Sequence, residues 1–114
     1  MRRWVLLLTI NPTHMFRLQQ KLTKEAIGLV AQECGIDANQ IINSSNRRAA
    51  DARFVLISVL SQYLNDSEIG AILKRTRQGI CFIRNNMCKA RDPVLSASIR
   101  QVHSKLVSWI TENE

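Results

Sequence analysis

The sequence predicts an all-α fold of about five or six helices, because beyond residue 20 apolar residues recur at spacings of three and four almost everywhere. Two further observations agree. No stretch alternates apolar and polar residues between Gly-rich turns as a sheet would require. The breaks between periodic segments also fall on helix-starting residues such as Asp37, Asn65, Thr76 and Asp92. With 114 residues, 46% of them apolar and 22% charged, the chain suits one compact domain. A multidomain machine, a disordered tail and a collagen-like repeat are excluded by the same figures.

Residues 1–20 are expected to form an apolar N-terminal arm and residues 21–114 the folded domain, with a break near Asn11-Pro12-Thr13. Arg2-Arg3 followed by Trp4-Val5-Leu6-Leu7-Leu8 imitates an export signal, but no small-residue cleavage site follows. The run is also far below the ~20 residues that span a bilayer. The expectation is an arm that packs on the body, on a protein partner or on a second copy, with no membrane involved. Thr23 is placed to cap a first helix from about 24 to 34, whose stripe is Ile27, Val30, Ala31 and Cys34 and whose stop is Gly35. A short helix capped by Asp37 carries Ile41 and Ile42, and the polar stretch from Asn43 to Arg48 reads as a loop. From Ala49 to Leu64 apolar residues cover most of the circumference, which predicts a central helix. Asn65-Asp66-Ser67 caps a very short segment that only packing can hold. Lys74-Arg75 makes a turn, and Thr76 caps a helix to about Lys89 with Ile80, Ile83 and Met87 inward. Asp92-Pro93 opens the last helix, where Leu95, Ile99, Val102, Leu106 and Trp109 follow at spacings of 4, 3, 4 and 3.

Catalytic signatures are lacking. Gly28, Gly35, Gly70 and Gly79 form no phosphate-cradling loop, which excludes nucleotide hydrolysis. His14 and His103 read as surface residues, and Cys34, Cys81 and Cys88 sit at no metal-like or redox spacing. They read as reduced core thiols of a cytoplasmic protein that is not an enzyme and needs neither cofactor nor metal.

Charge is the distinctive feature. Sixteen Lys and Arg against nine Asp and Glu give a net +7, which favours a polyanionic partner. Between Ile69 and Ala90 there is no acidic residue, while Lys74, Arg75, Arg77, Arg84 and Lys89 all fall there. A second cluster, Arg47, Arg48 and Arg53, brackets the loop and the start of the central helix. Two basic clusters around a short helix, a tight turn and a second helix fit a helix-turn-helix that binds double-stranded DNA. Its second helix would present Thr76, Arg77, Gln78 and Gly79 to the major groove. Arginine suits guanine, glutamine suits adenine, Thr76 and the free amides suit a phosphate, and Gly79 lets the backbone approach.

The order of short helix, Asn-rich basic loop, long apolar helix, Ser67-Glu68-Ile69-Gly70 and basic second helix resembles the C-terminal DNA-binding domain of the bacterial replication initiator DnaA, over about residues 21 to 111. In that family a stretch similar to Arg47-Arg48-Ala49-Ala50-Asp51-Ala52-Arg53 precedes the long helix, and its basic loop enters the minor groove. The resemblance implies that role for Arg47 or Arg48. The family's Leu-Pro-Glu-Ile-Gly is matched by Asp66-Ser67-Glu68-Ile69-Gly70. Its recognition signature Gly-Gly-Arg-Asp-His-Thr-Thr-Val aligns with Lys74-Arg75-Thr76-Arg77-Gln78-Gly79-Ile80-Cys81, so the Asp-His-Thr-Thr core is replaced and the preferred DNA sequence should differ. With no ATPase module, the chain looks like a free-standing, nucleoid-associated relative. The alternative is a protein-interaction module that docks the same basic face on an acidic partner. RNA fits less well, because the six aromatic residues make no stacking cluster.

Overall fold

The computed structural model describes residues 12–112, so the apolar run at residues 4–8 lies outside it. Among the described residues there are seven helices and no strand, as an all-α fold requires. The first, α1, is Pro12–Cys34. It passes the expected boundary at residues 20 and 21 without a break. Proline lacks the N–H that a helix start would leave unsatisfied and carries a helical φ, so Pro12 opens the helix that it was expected to precede. Thr23 is accordingly not a cap. It lies buried inside α1, its Oγ1 donating to the Gln19 carbonyl at 2.8 Å. Leu22, Ala26 and Val30 follow at four-residue intervals and are fully buried. Gly35 ends the helix with a left-handed φ of 63°, which lets the Ile36 N–H reach the Ala31 carbonyl at 3.1 Å.

Helix α2 is Ala38–Asn43, capped by Asp37, and α3 is Arg47–Leu60, capped by Asn46, whose side chain accepts the Ala49 N–H at 2.8 Å. Arg47 and Arg48 therefore form the first turn of α3 rather than a loop. This helix is the centre of the molecule, with Ala52, Val55, Leu56, Ile57, Val59 and Leu60 all fully buried. It packs against α1, α2 and the last helix, and against the second helix of the pair described next.

Helix α4 is Asp66–Leu73. At eight residues it is too short to persist alone. A reciprocal capping box holds its start, the Asn65 side chain accepting from the Glu68 N–H at 2.8 Å and the Glu68 carboxylate from the Asn65 N–H at 2.9 Å. Gln19 of α1 donates to the other Glu68 oxygen. Ile69 and Leu73 anchor the helix in the core, each worth roughly 1.5–3 kcal/mol. Lys74 then turns the chain with a left-handed φ of 58°, and the Arg75 N–H closes on the Gly70 carbonyl at 2.8 Å.

Helix α5 is Arg77–Arg84, capped by Thr76, and it ends earlier than periodicity implies. Asn86 caps a separate short α6, Met87–Ala90, by accepting the Lys89 N–H at 3.0 Å. Ile80 is buried and Ile83 packs on the core as expected, but the break re-aims the chain beyond them and Met87, expected inward, is 61% exposed. Lys89 pairs with Asp51 and ties α6 to α3. Helix α7, Pro93–Glu112, starts on Asp92 and closes the core with Leu95, Val102 and Leu106, while Ile99 and Trp109 are half-buried against it. His103 is more than surface filling, because its Nε2 shares a hydrogen bond of 3.0 Å with the Tyr63 hydroxyl. Cys34 and Cys81 are half-buried and Cys88 is exposed, so the core-thiol expectation fails for Cys88.

The α4–α5 elbow depends on Gly70, since a Cβ there would lie 2.5 Å from the Arg75 carbonyl oxygen. Gly70→Ala should destabilise the domain by about 1–3 kcal/mol through overpacking against backbone. Gly28, mid-helix in α1 with nothing within 4 Å of its Cβ position, provides the contrast. Gly28→Ala should stabilise by about 1 kcal/mol through helix propensity. Urea unfolding of both variants, read as midpoints at unchanged slope, checks the pair.

Candidate nucleic-acid interface

The two basic clusters converge on one corner of the fold, and the carbonyl end of α2 brings them together. Arg53, from α3, donates through Nη1 to the Ile41 carbonyl at 2.8 Å and the Ser44 carbonyl at 2.6 Å. Arg75, from the α4–α5 turn, donates to the Ile42 carbonyl at 3.1 Å. Cations are favourable at a helix C-terminus, where unsatisfied carbonyls concentrate negative potential. The α2–α3 corner with Arg47 and the elbow with Lys74 thus abut, although they are far apart in sequence.

Several residues expected at the interface prove to be structural. Arg53 is only 8% exposed, with burial and the nearby charge of Arg75 lowering its pKa from the usual arginine value. It belongs to the interior and not to the outward basic face where it was expected. The reason is positional: Arg53 follows Ala49 by four residues and precedes Leu56 and Ile57 by three and four, on the inward stripe of α3. Arg48 is exposed, yet its Nη2 donates to the Cys34 and Gly35 carbonyls at 3.0 Å each, closing the end of α1. Arg84 forms a two-point bond with Asp66, Nε to Oδ1 at 3.2 Å and Nη2 to Oδ2 at 2.8 Å, which joins α5 to α4. That hydrogen bond, before any other cause, raises its pKa. Arg75 is half-buried over α2.

A smaller set remains on the outside. Arg47, Lys74, Thr76, Arg77 and Gln78 are all exposed, and Gly79 is half-buried behind them. Thr76 Oγ1 accepts the Gly79 N–H at 2.9 Å, so its hydroxyl is committed to capping while Arg77 and Gln78 project from the first turn of α5. A hollow of about 380 Å³ opens at the α3 start, lined by Gly35, Ile36, Gln40, Asn46, Arg47 and Arg48. A second, of about 350 Å³, is lined by Asp66, Arg77, Gln78, Cys81 and Phe82. Phe82 was not expected from the sequence as a site residue. Its signal was there, because with Ile80 and Ile83 inward, position 82 falls on the outer face of α5.

Among the described residues no group of His, Cys, Asp and Glu could hold a metal ion. No helix there is long and apolar enough to cross a membrane. Known proteins offer no guide: no family model matches the chain, and neither does any curated protein or solved structure.

The division into structural and outward arginines is measurable. Arg53→Ala should cost about 1.5–3 kcal/mol, the worth of charge-assisted hydrogen bonds whose carbonyl partners would be left buried. Arg77→Ala should stay within about 0.5 kcal/mol of wild type, as exposed substitutions do. Thermal melts of the two variants side by side test this, and equal stability would refute the core role of Arg53.

Proposed function

We propose that the domain binds double-stranded DNA without catalysis, using α4 and α5 as a helix-turn-helix and α5 as the major-groove helix. The observation that carries the reading is the exposed first turn of α5, where Arg77 and Gln78 stand beside a tight elbow and a cationic corner. Arg77 suits a bidentate contact to guanine and Gln78 one to adenine. Eight residues at 1.5 Å make α5 about 12 Å long, comparable with the ~12 Å width of the major groove. Arg47, free of the carbonyl bonds that hold Arg48, is the better placed of the two for the adjacent phosphates or minor groove. Kinship with the DnaA C-terminal domain, and a place on the nucleoid, belong to the same proposal and rest on element order and Glu68-Ile69-Gly70.

The elbow adds support. A left-handed residue other than glycine costs roughly 1–2 kcal/mol, and this chain places a lysine there. On the proposed reading that cost keeps a cation where the backbone of the duplex passes.

Binding to random duplexes should fall with salt at a log–log slope near −0.9 per phosphate contacted, and a selection from random sequences should return a preferred site. A flat salt dependence, or no preference at all, overturns the proposal. Arg77→Ala should lose about 1–3 kcal/mol on the selected site and little on random DNA, relaxing one base pair. Lys74→Gly should separate two properties. Stability should rise as the left-handed strain is relieved, while affinity for all duplexes falls and the salt slope drops by about one. Melting and salt titration of the same variant read both.

A further inference from the structure

Phe82 is 80% exposed, whereas Ile80 is buried and Ile83 packs against the core from the other side of the same helix. A ring left in water contributes no burial energy to folding. It sits in a mostly apolar hollow that polar and charged residues border. Arg77, Gln78, Cys81 and Phe82 occupy one face of α5 and line the 350 Å³ hollow together with Asp66. The Asp66 carboxylate is bound by Arg84 at 2.8 Å, so its charge is offset within the fold. What remains outward is the Phe82 ring beside a guanidinium and an amide, since the Cys81 sulfur accepts from Asn85 at 3.2 Å.

We infer that Phe82 reads a pyrimidine C5-methyl group in the major groove, within about two base pairs of the pair contacted by Gln78. The inference rests on the DNA-binding reading above and adds a specificity-determining residue to it. The methyl of thymine is the apolar feature of the major-groove edge, and an aromatic side chain suits it. Charge complementarity favours this occupant over an apolar protein surface. Covering Phe82 would also cover Arg77 and Gln78, and their desolvation is costly unless the partner supplies acceptors at the same depth. A duplex supplies acceptors and methyl group on adjacent base edges. Thymine and 5-methylcytosine carry the same methyl, and the test separates them.

The full-length chain is first put through a selection on random duplexes. Each thymine of the selected site is then replaced singly by deoxyuridine, which lacks only the methyl group. Wild type should lose about fourfold in affinity at one thymine, the worth of burying one methyl-sized group. Phe82→Ala should bind the thymine and deoxyuridine duplexes alike, and Phe82→Leu should keep most of the discrimination. With cytosine or 5-methylcytosine at that position, wild type should favour the methylated form by a similar factor if the methyl alone is read. Discrimination confined to thymine would assign the contact to thymine only. Because Phe82 is exposed, the alanine variant should melt with wild type, so loss of fold will not imitate loss of readout. The inference is overturned, with DNA binding intact, by a deoxyuridine scan that is flat at every thymine or by a loss that persists in Phe82→Ala. Equal weakening of Phe82→Ala on all duplexes also overturns it and makes the ring a general contact. A wild type that selects no duplex removes the DNA-binding reading and this inference with it.

Discussion

A guanidinium enclosed on the inward face of α3 governs how this fold is put together. Arg53 cannot be buried without hydrogen-bond partners, because an unsatisfied charge in the core would cost more than the domain's apolar packing tolerates. The oxygens within reach are the Ile41 and Ser44 carbonyls at the end of α2. These bonds hold the end of α2 against α3, whose own start is capped by Asn46. Arg75 arrives at the same carbonyl end through Ile42, so the elbow between α4 and α5 is held against the corner between α2 and α3. The nearby charge of Arg75 and the surrounding burial both depress the Arg53 pKa, yet arginine's ordinary value lies so far above neutrality that the side chain remains a cation. Two outward basic surfaces owe their adjacency to cations that face inward.

A net charge of +7 is thus a poor map of a binding surface. Arg48, Arg53, Arg75 and Arg84 each hold a carbonyl or a carboxylate of the fold itself. What remains is sparse and well placed, with Arg47 on one element, Lys74 at a strained turn and Arg77 at a helix start. The strain at Lys74 and the steric demand at Gly70 belong to one device. Gly70 lets the elbow approach and Lys74 reverses the chain, and each accepts a local constraint to set the angle at which α5 leaves the body.

The fold class and most helix starts were legible because capping is local chemistry. Asp37, Thr76 and Asp92 do what their sequence positions imply, and the last helix packs on the residues its spacing names. Sequence and structure diverge where one signal has two physical meanings. Pro12 ends an extended segment or begins a helix with equal ease, and only the packing of Leu22 and its neighbours along α1 decides. Arg47 and Arg48 looked like loop because no apolar residue accompanies them, although Asn46 caps the turn they form. The helix after the elbow is shorter than its period suggests, because Met87 keeps the apolar spacing while the Asn85-Asn86 pair that interrupts it carries no apolar signal. At the candidate site, the outward position of Arg77 and Gln78 is readable from their place after a cap. The burial of Arg53 is not, because composition places arginine outside and only a partner from another element makes its inward position tolerable.

The choice of capping side chain has an electrostatic consequence. Asp37 and Asp92, which start α2 and α7, bring carboxylates, and an aspartate is a natural complement to the positive end of a helix. The starts of α3, α5 and α6 are capped instead by Asn46, Thr76 and Asn86, which accept the same backbone N–H groups with no formal charge. An aspartate at position 46 or 76 would cap as well, but it would set a fixed negative charge beside Arg47 or Arg77 and push back any phosphate drawn to them. Neutral caps leave the partial positive charge of those helix ends unopposed. At these starts the sequence therefore separates hydrogen-bond satisfaction from charge neutralisation, so that holding the helix together does not cancel the field that it projects.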